Sequence, residues 1–273
     1  MNRYRLPTFG LEVLMIAVAA VFAFPLYVLV NISLRGIDDQ SSPSTPTTAP
    51  TLQNYTDAWQ QAGLAGAIVN SVVVTVCSVL IVVLVSATAA YPLARVTAGW
   101  SRMAFLLIML GLLLPFQLAL IPLYQTMNEL GLLGSLWSLV LFYSGLQVPF
   151  TTFLYVGFMR VLPRNYEEAA VLDGCTPVQL FRRVVFPMLR PVTGTAVILN
   201  AIFIWNDFLT PLLYLQGSDQ QTIPVAIYGF VGQYFSNWPL VFAGLVIGVA
   251  PILTIYFLMQ RRIIVGFTGG LKG

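Results

Sequence analysis

The chain has no histidine, a single lysine at Lys272 and two cysteines, and only 8% of its residues are charged. Lack of histidine excludes a Ser-His-Asp triad and a histidine proton relay, and it handicaps zinc chemistry. No segment reads GxxxxGK[ST], so the chain cannot hydrolyse ATP through a phosphate loop of that kind. Cys77 falls in an apolar run and Cys175 in a polar one, which argues against a disulfide between them. The scarcity of charge, beside 58% hydrophobic residues, excludes an ordinary soluble domain.

Six runs are long enough to cross a hydrocarbon core of roughly 30 Å as helices. They are Val13 to Ile32, Ile68 to Ala90, Ala104 to Leu123, Leu136 to Met159, Val192 to Leu215 and Leu240 to Gln260. The expected fold is an all-α integral membrane protein with six transmembrane helices in one domain, 1–273. Interior prolines at Pro25, Pro115, Pro149, Pro211 and Pro251 predict kinks. Placing the N-terminus in the cytoplasm puts 12 of the 13 basic residues on that side, from Arg3 and Arg5 to Arg261, Arg262 and Lys272, with Arg35 alone outside beside Asp38 and Asp39. Both termini are then cytoplasmic. The net charge of +3 is a topology signal, and no basic patch remains for nucleic acid. The first run is too long for a signal-peptide core and no small-x-small site closes it, so it reads as a retained anchor.

Residues 33–67 form an outer loop rich in Pro, Ser and Thr, expected to be extended between Ser41 and Pro50. Its aromatic end, with Tyr55 and Trp59, reads either as an interfacial belt or as a docking surface for an extracytoplasmic partner. Tyr228, Phe230, Tyr234, Phe235 and Trp238 read as a second belt or as a platform for sugar faces. Gly244 and Gly248 form a GxxxG that calls for a closely packed helix. Asp207 is the one ionisable side chain placed inside a run, about 16 residues and roughly 24 Å from its inner end. Burying it costs at least about 2.5 to 3.5 kcal/mol. Asn200, Trp205, Asn206 and Asp207 are therefore candidates for the lining of a solute path, with a solvated structural Asp207 as the alternative.

The polar segment 160–191 is the most informative. Asn165 is placed to cap a short helix with Glu168 three residues on, and Gly174 to stop it. Thr176 caps a second helix, with Pro177 at its first position and Gln179 completing a capping box. The product is an elbow whose first arm is acidic and small, set among membrane helices.

The spacing of Glu168, Ala169, Ala170, Gly174 and Pro187 resembles the EAA loop of ABC importer permeases, with Val184 and Phe186 in place of the usual Ile and Leu. Four more stretches look like the carbohydrate-uptake branch similar to the smaller membrane subunit of the maltose transporter: Ala90 to Arg95, Leu120 to Tyr124 with Leu130 to Leu133, Trp205 to Leu209 with Pro211 and Leu212, and Gln260 to Arg262 with Gly266 to Gly273. The resemblance implies a type I ABC importer permease fold in a bacterial plasma membrane. It implies a second, larger permease subunit, two ATPase subunits that carry ATP and magnesium, and an extracytoplasmic sugar-binding protein. No cofactor would be bound by this chain, which would not itself be an enzyme. Glu167, Glu168, Ala169, Ala170, Asp173, Gly174 and Pro187 would then couple to the ATPase, and the tail 261–273, through Gly266, Thr268, Gly269, Gly270 and Lys272, would reach the ATPase dimer. Composition alone reads that tail as disordered. Oligosaccharides, disaccharides, polyols and glycerol phosphates all fit such a permease. A self-sufficient secondary transporter is the alternative of a different class, and would want an internal repeat and several ion-coordinating groups at mid-membrane.

Overall fold

The computed structural model describes residues 6–39, 41–113, 115–231 and 237–269, with side chains from residue 9 to residue 258, and the regular elements among them are helical. In chain order they are α1 (Leu6–Ser33), α2 (Gln53–Gln61), α3 (Leu64–Arg95), α4 (Gly99–Leu113), α5 (Phe116–Glu129), α6 (Leu136–Val161), α7 (Asn165–Leu172), α8 (Pro177–Leu180), a π-helical turn (Phe181–Val185), α9 (Phe186–Met188), α10 (Arg190–Asn206), α11 (Leu209–Tyr214), α12 (Ile223–Tyr228) and α13 (Trp238–Gly269). Arg3, Arg5, Tyr234, Phe235, Gly270 and Lys272 lie outside the described residues.

Four helices, α1, α3, α6 and α13, are each long and apolar enough to cross a membrane, and two bent pairs bring the number to six if each pair is one span. Two breaks correct sequence expectations. The run Ala104 to Leu123 is not one helix: α4 and α5 meet at 96°. Pro115 lies at the join in an extended conformation, and its ring offers no N–H to carry the α-helical ladder through. The run Val192 to Leu215 is also interrupted, because α10 ends at Asn206 and Asp207 is extended, with φ −70° and ψ 130°. Pro211 then falls in the first turn of α11, where a missing N–H removes no ladder bond. Pro25, Pro149 and Pro251 remain inside their helices.

The chain divides into two compact units, Met1–Ala65 with Ala226–Pro251, and Gly66–Val225 with Ile252–Gly273. In the first, the side chains of α1 from Val13 to Phe24 are apolar and exposed all round, a surface that requires lipid or another protein. The loop after α1 is not extended, contrary to its composition. Arg35 is 3% exposed and donates to the carbonyls of Ser41 (2.6 Å), Ser42 (2.7 Å) and Thr45, while Asn31 donates to Pro43 O and Thr45 O and accepts from Thr47 N–H. Asn54 of α2 donates to Ser33 O and Arg35 O, and Tyr55 shares a 2.7 Å hydrogen bond with Ser33. Proline and serine keep such a segment from forming helix or sheet, but its carbonyls are free acceptors for a buried guanidinium. Ser41 donates to Asp39 through both hydroxyl and amide, which, with Arg35 nearby, holds that carboxyl below the ordinary aspartate range. In the same unit Gly244 of α13 packs against Ile227 of α12, where a Cβ would stand 3.3 Å from the isoleucine. The small-residue face thus has a partner within this chain.

The second unit carries the core that matters for function. Ala87, Ala90 and Leu93 of α3 pack with Tyr155, Val156 and Met159 of α6, with Ala170, Leu180 and Val185 of the 160–191 segment, and with Leu189 and Val192 at the start of α10. Arg160 lies over the Phe105 ring at 5.1 Å and ties α6 to α4.

Candidate functional site

The elbow is built as the sequence predicts at its bend and differently at its start. Leu162 is extended, as the residue before Pro163 must be, and Arg164 is already in the helical region. The helix therefore begins one residue early: Arg164 O accepts from the N–H groups of Glu167 (2.8 Å) and Glu168 (3.0 Å), and the expected Asn165 cap with Glu168 does not form. At the other end Gly174 has φ +81°, its N–H donates to Val171 O, and Cys175 N–H reaches back to Ala170 O at 3.0 Å. That double closure is a Schellman motif, which needs the left-handed residue that glycine supplies. Thr176 and Gln179 form the expected capping box, with Pro177 in the first turn.

The elbow has two faces. Inward, Ala170, Leu180 and Val185 are buried in the bundle core. Glu167 also turns inward, making a 2.6 Å ion pair with Arg95 at the end of α3 and accepting from Tyr91 O–H at 3.3 Å; the two charged side chains are only 11% and 14% exposed. Arg95 further donates to Leu162 O. Outward, Glu168, Ala169 and Asp173 are exposed, and so are Tyr166, Val171, Val178 and Leu172, the last at 88%. Such apolar side chains clustered on a polar segment mark a contact surface. Pro187 is half-buried in α9, after the π-helical turn; the segment Pro177–Met188 meets α10 at 72°.

Of the seven coupling candidates, then, Glu168, Ala169, Asp173 and Gly174 face outward, while Glu167 and Ala170 lock the elbow to the bundle. Tyr91 and Arg95 went unassigned in the sequence reading. They lie 76 and 72 residues from Glu167, and no local spacing rule links them. The one available signal was an arginine ending a span on the side that also bears two adjacent glutamates.

The solute-path candidates separate as well. Asn200 is fully buried, donating to Thr151 Oγ1 of α6 (2.9 Å) and to Ala196 O, with its Oδ1 free of hydrogen bonds. Trp205 is buried, and Asn206 is exposed with its amide turned back to Ile202 O. Asp207 sits in the break between α10 and α11: Oδ1 accepts from Leu209 N–H (3.1 Å) and Oδ2 from Tyr143 O–H of α6 (2.9 Å). It is a half-buried carboxylate that caps α11 and ties it to α6. Gly266, Thr268 and Gly269 lie on the backbone of α13, which runs on as helix where composition reads disorder, while Gly270 and Lys272 fall outside the described residues.

Comparison with known proteins bears on the whole chain. The chain is 38% identical over 227 residues to the multiple sugar-binding transport system permease protein MsmG of Streptococcus mutans serotype c, covering 81% of this chain and 80% of that one. It is 31% identical to the melibiose/raffinose/stachyose import permease protein MelC of Bacillus subtilis, covering 94% of each. Among solved structures, a chain of a bacterial ABC transporter involved in the import of the acidic polysaccharide alginate superposes with a TM-score of 0.79 over 96% of this chain and 99% of that one, at 18% identity, which establishes a shared fold. Residues 83–265, which include the elbow, the Asp207 break and most of α13, match the family of binding-protein-dependent transport system inner membrane components, and the chain belongs to that family.

Proposed function

We propose that this chain is one of two different membrane-spanning subunits of a binding-protein-dependent ABC sugar importer, lining part of the solute path and passing it the motion of a separate ATPase. The observation that carries the reading is the two-faced elbow: buried hydrophobic contacts and one ion pair fasten it to the bundle, while an acidic and apolar outer face lies open. A chain lacking a phosphate loop needs an external source of work, and such a face suits a groove on the ATPase. The sugar assignment is supported by relatives that bear the names of sugar permeases. In this reading α4 with α5 is one crossing and α10 with α11 another, both termini and the elbow are cytoplasmic, and the remaining partners are a larger permease subunit, two ATPase subunits that hold ATP and magnesium, and an extracytoplasmic binding protein. The α13 end, with Gly266, Thr268, Gly269, Gly270 and Lys272, reaches the ATPase dimer.

Reconstitution in vesicles tests this directly. The chain alone is expected to move no radiolabelled oligosaccharide, while the complete assembly with ATP and loaded binding protein accumulates it. Flux through the chain alone driven by a proton or sodium gradient would replace the importer with a secondary transporter.

Asp207 lines the path in this reading, with Asn200 and Trp205 supporting it from behind. Asp207→Asn keeps one acceptor, for Leu209 N–H, and its amide N–H can donate to the Tyr143 hydroxyl, which turns to accept. Asp207→Leu removes both contacts and orphans a buried phenol, at about 1 to 3 kcal/mol. Uptake by the assembled complex should fall roughly tenfold further for Leu than for Asn. A second measurement, the sugar concentration for half-maximal uptake, should rise for Asn while thermal stability holds. If Asn changes neither uptake nor that concentration, Asp207 is a structural tie alone.

A further inference from the structure

On the flank of the second unit, a cavity of about 550 Å³ opens between α3 and the second arm of the elbow, walled by Leu84 and Thr88 of α3 and by Phe181 and Phe186, with Arg182 and Arg190 also on its lining. Thr88 turns its hydroxyl back to the carbonyls of Leu84 (2.8 Å) and Val85 (2.9 Å), so the wall it forms asks for no polar partner. Arg182 and Arg190 are exposed, and neither has a carboxylate within ion-pair distance among the described residues. The two arginines are brought to one cavity by the π-helical turn and the 72° bend that follows it.

We infer that this cavity is a binding site for an anionic phospholipid, with its phosphate on Arg182 and Arg190 and an acyl chain along Leu84, Thr88, Phe181 and Phe186. Depth favours lipid over the ATPase. Thr88 and Leu84 lie two and six positions inside Ala90, the inner end of the apolar run. At 1.5 Å per residue that is about 3 and 9 Å into the hydrocarbon core, within the one leaflet, roughly 15 Å thick, that adjoins the elbow. A soluble subunit does not enter the hydrocarbon core, whereas acyl chains of the adjoining leaflet lie at that depth. Charge selects the head group: two unpaired guanidiniums above an apolar slot match one phosphate with a chain below it, the arrangement by which basic pockets between membrane helices hold acidic lipids. Assigning the cytoplasmic leaflet rests on the orientation proposed above.

The test uses the complete transporter, purified in detergent, stripped of lipid, and offered phosphatidylglycerol or phosphatidylcholine, with retained lipid read by native mass spectrometry. Wild type should retain phosphatidylglycerol roughly thirty-fold over phosphatidylcholine, the selectivity expected of two interfacial cations. The double variant Arg182→Gln/Arg190→Gln should lose that preference, Thr88→Trp should expel both lipids, and Arg183→Gln, outside the cavity, should behave as wild type. Equal retention of the two lipids by wild type overturns the site. So does a photoreactive side chain at position 88 that labels the second permease subunit in place of lipid. Retention is read without sugar, so a complex that binds phosphatidylglycerol and moves no sugar counts against the importer alone, and one that moves sugar without lipid selectivity counts against this site alone.

Discussion

Ala169→Trp and Leu172→Asp are expected to abolish ATP-driven uptake while leaving the chain inserted and paired with its membrane partner. Both positions are on the outer face of α7, and Leu172 is 88% exposed, so neither substitution opens a hole in the folded chain. Their cost falls on docking. A buried apolar anchor at an interface is worth about 2 kcal/mol or more on truncation, and placing a charge or an indole there costs further. That is at least about thirty-fold in affinity. Pull-down of the ATPase subunit should fall accordingly, and uptake with it. Ala170→Trp is the contrast, since Ala170 is buried among Leu180, Val185 and the ends of α3 and α6. It should damage assembly itself. Normal uptake from both outer-face variants would remove the coupling role of the elbow.

The second large effect concerns the tie between Glu167 and Arg95. Glu167→Ala leaves a mostly buried guanidinium with Leu162 O as its remaining partner, and breaking such a pair costs about 3 kcal/mol or more. Replacing both residues, as in Glu167→Leu with Arg95→Met, removes the unpaired charge and should restore assembly and thermal stability, because an apolar pair of similar volume is commonly neutral or stabilising. The double variant nonetheless lacks the 2.6 Å contact that fastens α7 to α3. Stimulation of ATP hydrolysis by loaded binding protein should therefore fall at least about tenfold in the single variant and recover only in part in the double. Hydrolysis stimulated as in wild type in both would show that hydrophobic packing alone carries the motion.

The elbow shows where sequence suffices. Gly174, Thr176, Pro177 and Gln179 act through bonds to neighbours within a few residues, and each has its expected conformation. Asn165 failed because the competing signal, Pro163 two residues before it, is also local and set the helix start earlier. Which way each side chain of α7 faces was not legible. An eight-residue helix with two adjacent glutamates and two adjacent alanines has no apolar stripe strong enough to orient it, and the arginine that decides the matter comes from a helix 72 residues away. Among the membrane helices, composition located the apolar runs but not the breaks. Pro115 and Pro149 look alike in sequence, yet only the first ends a helix. Asp207 broke α10 because its carboxylate had two acceptors' worth of work to do, one for Leu209 and one for Tyr143.

The loop around Arg35 bears on how the chain reaches its final form. Its hydrogen bonds join positions no more than 22 residues apart, from Tyr27 to Tyr55, and none of them waits for a later helix. Short loops close early, so this segment can fold as soon as it emerges on the far side of the membrane, in the orientation proposed here. Once Arg35 is wrapped in the carbonyls of Ser41, Ser42 and Thr45, the segment is a bulky polar knot at the outer end of α1. Drawing it back would mean undoing those bonds and passing a bare guanidinium through lipid. In that orientation the loop would work as a one-way catch, holding the first helix in place before the helices that depend on it are made.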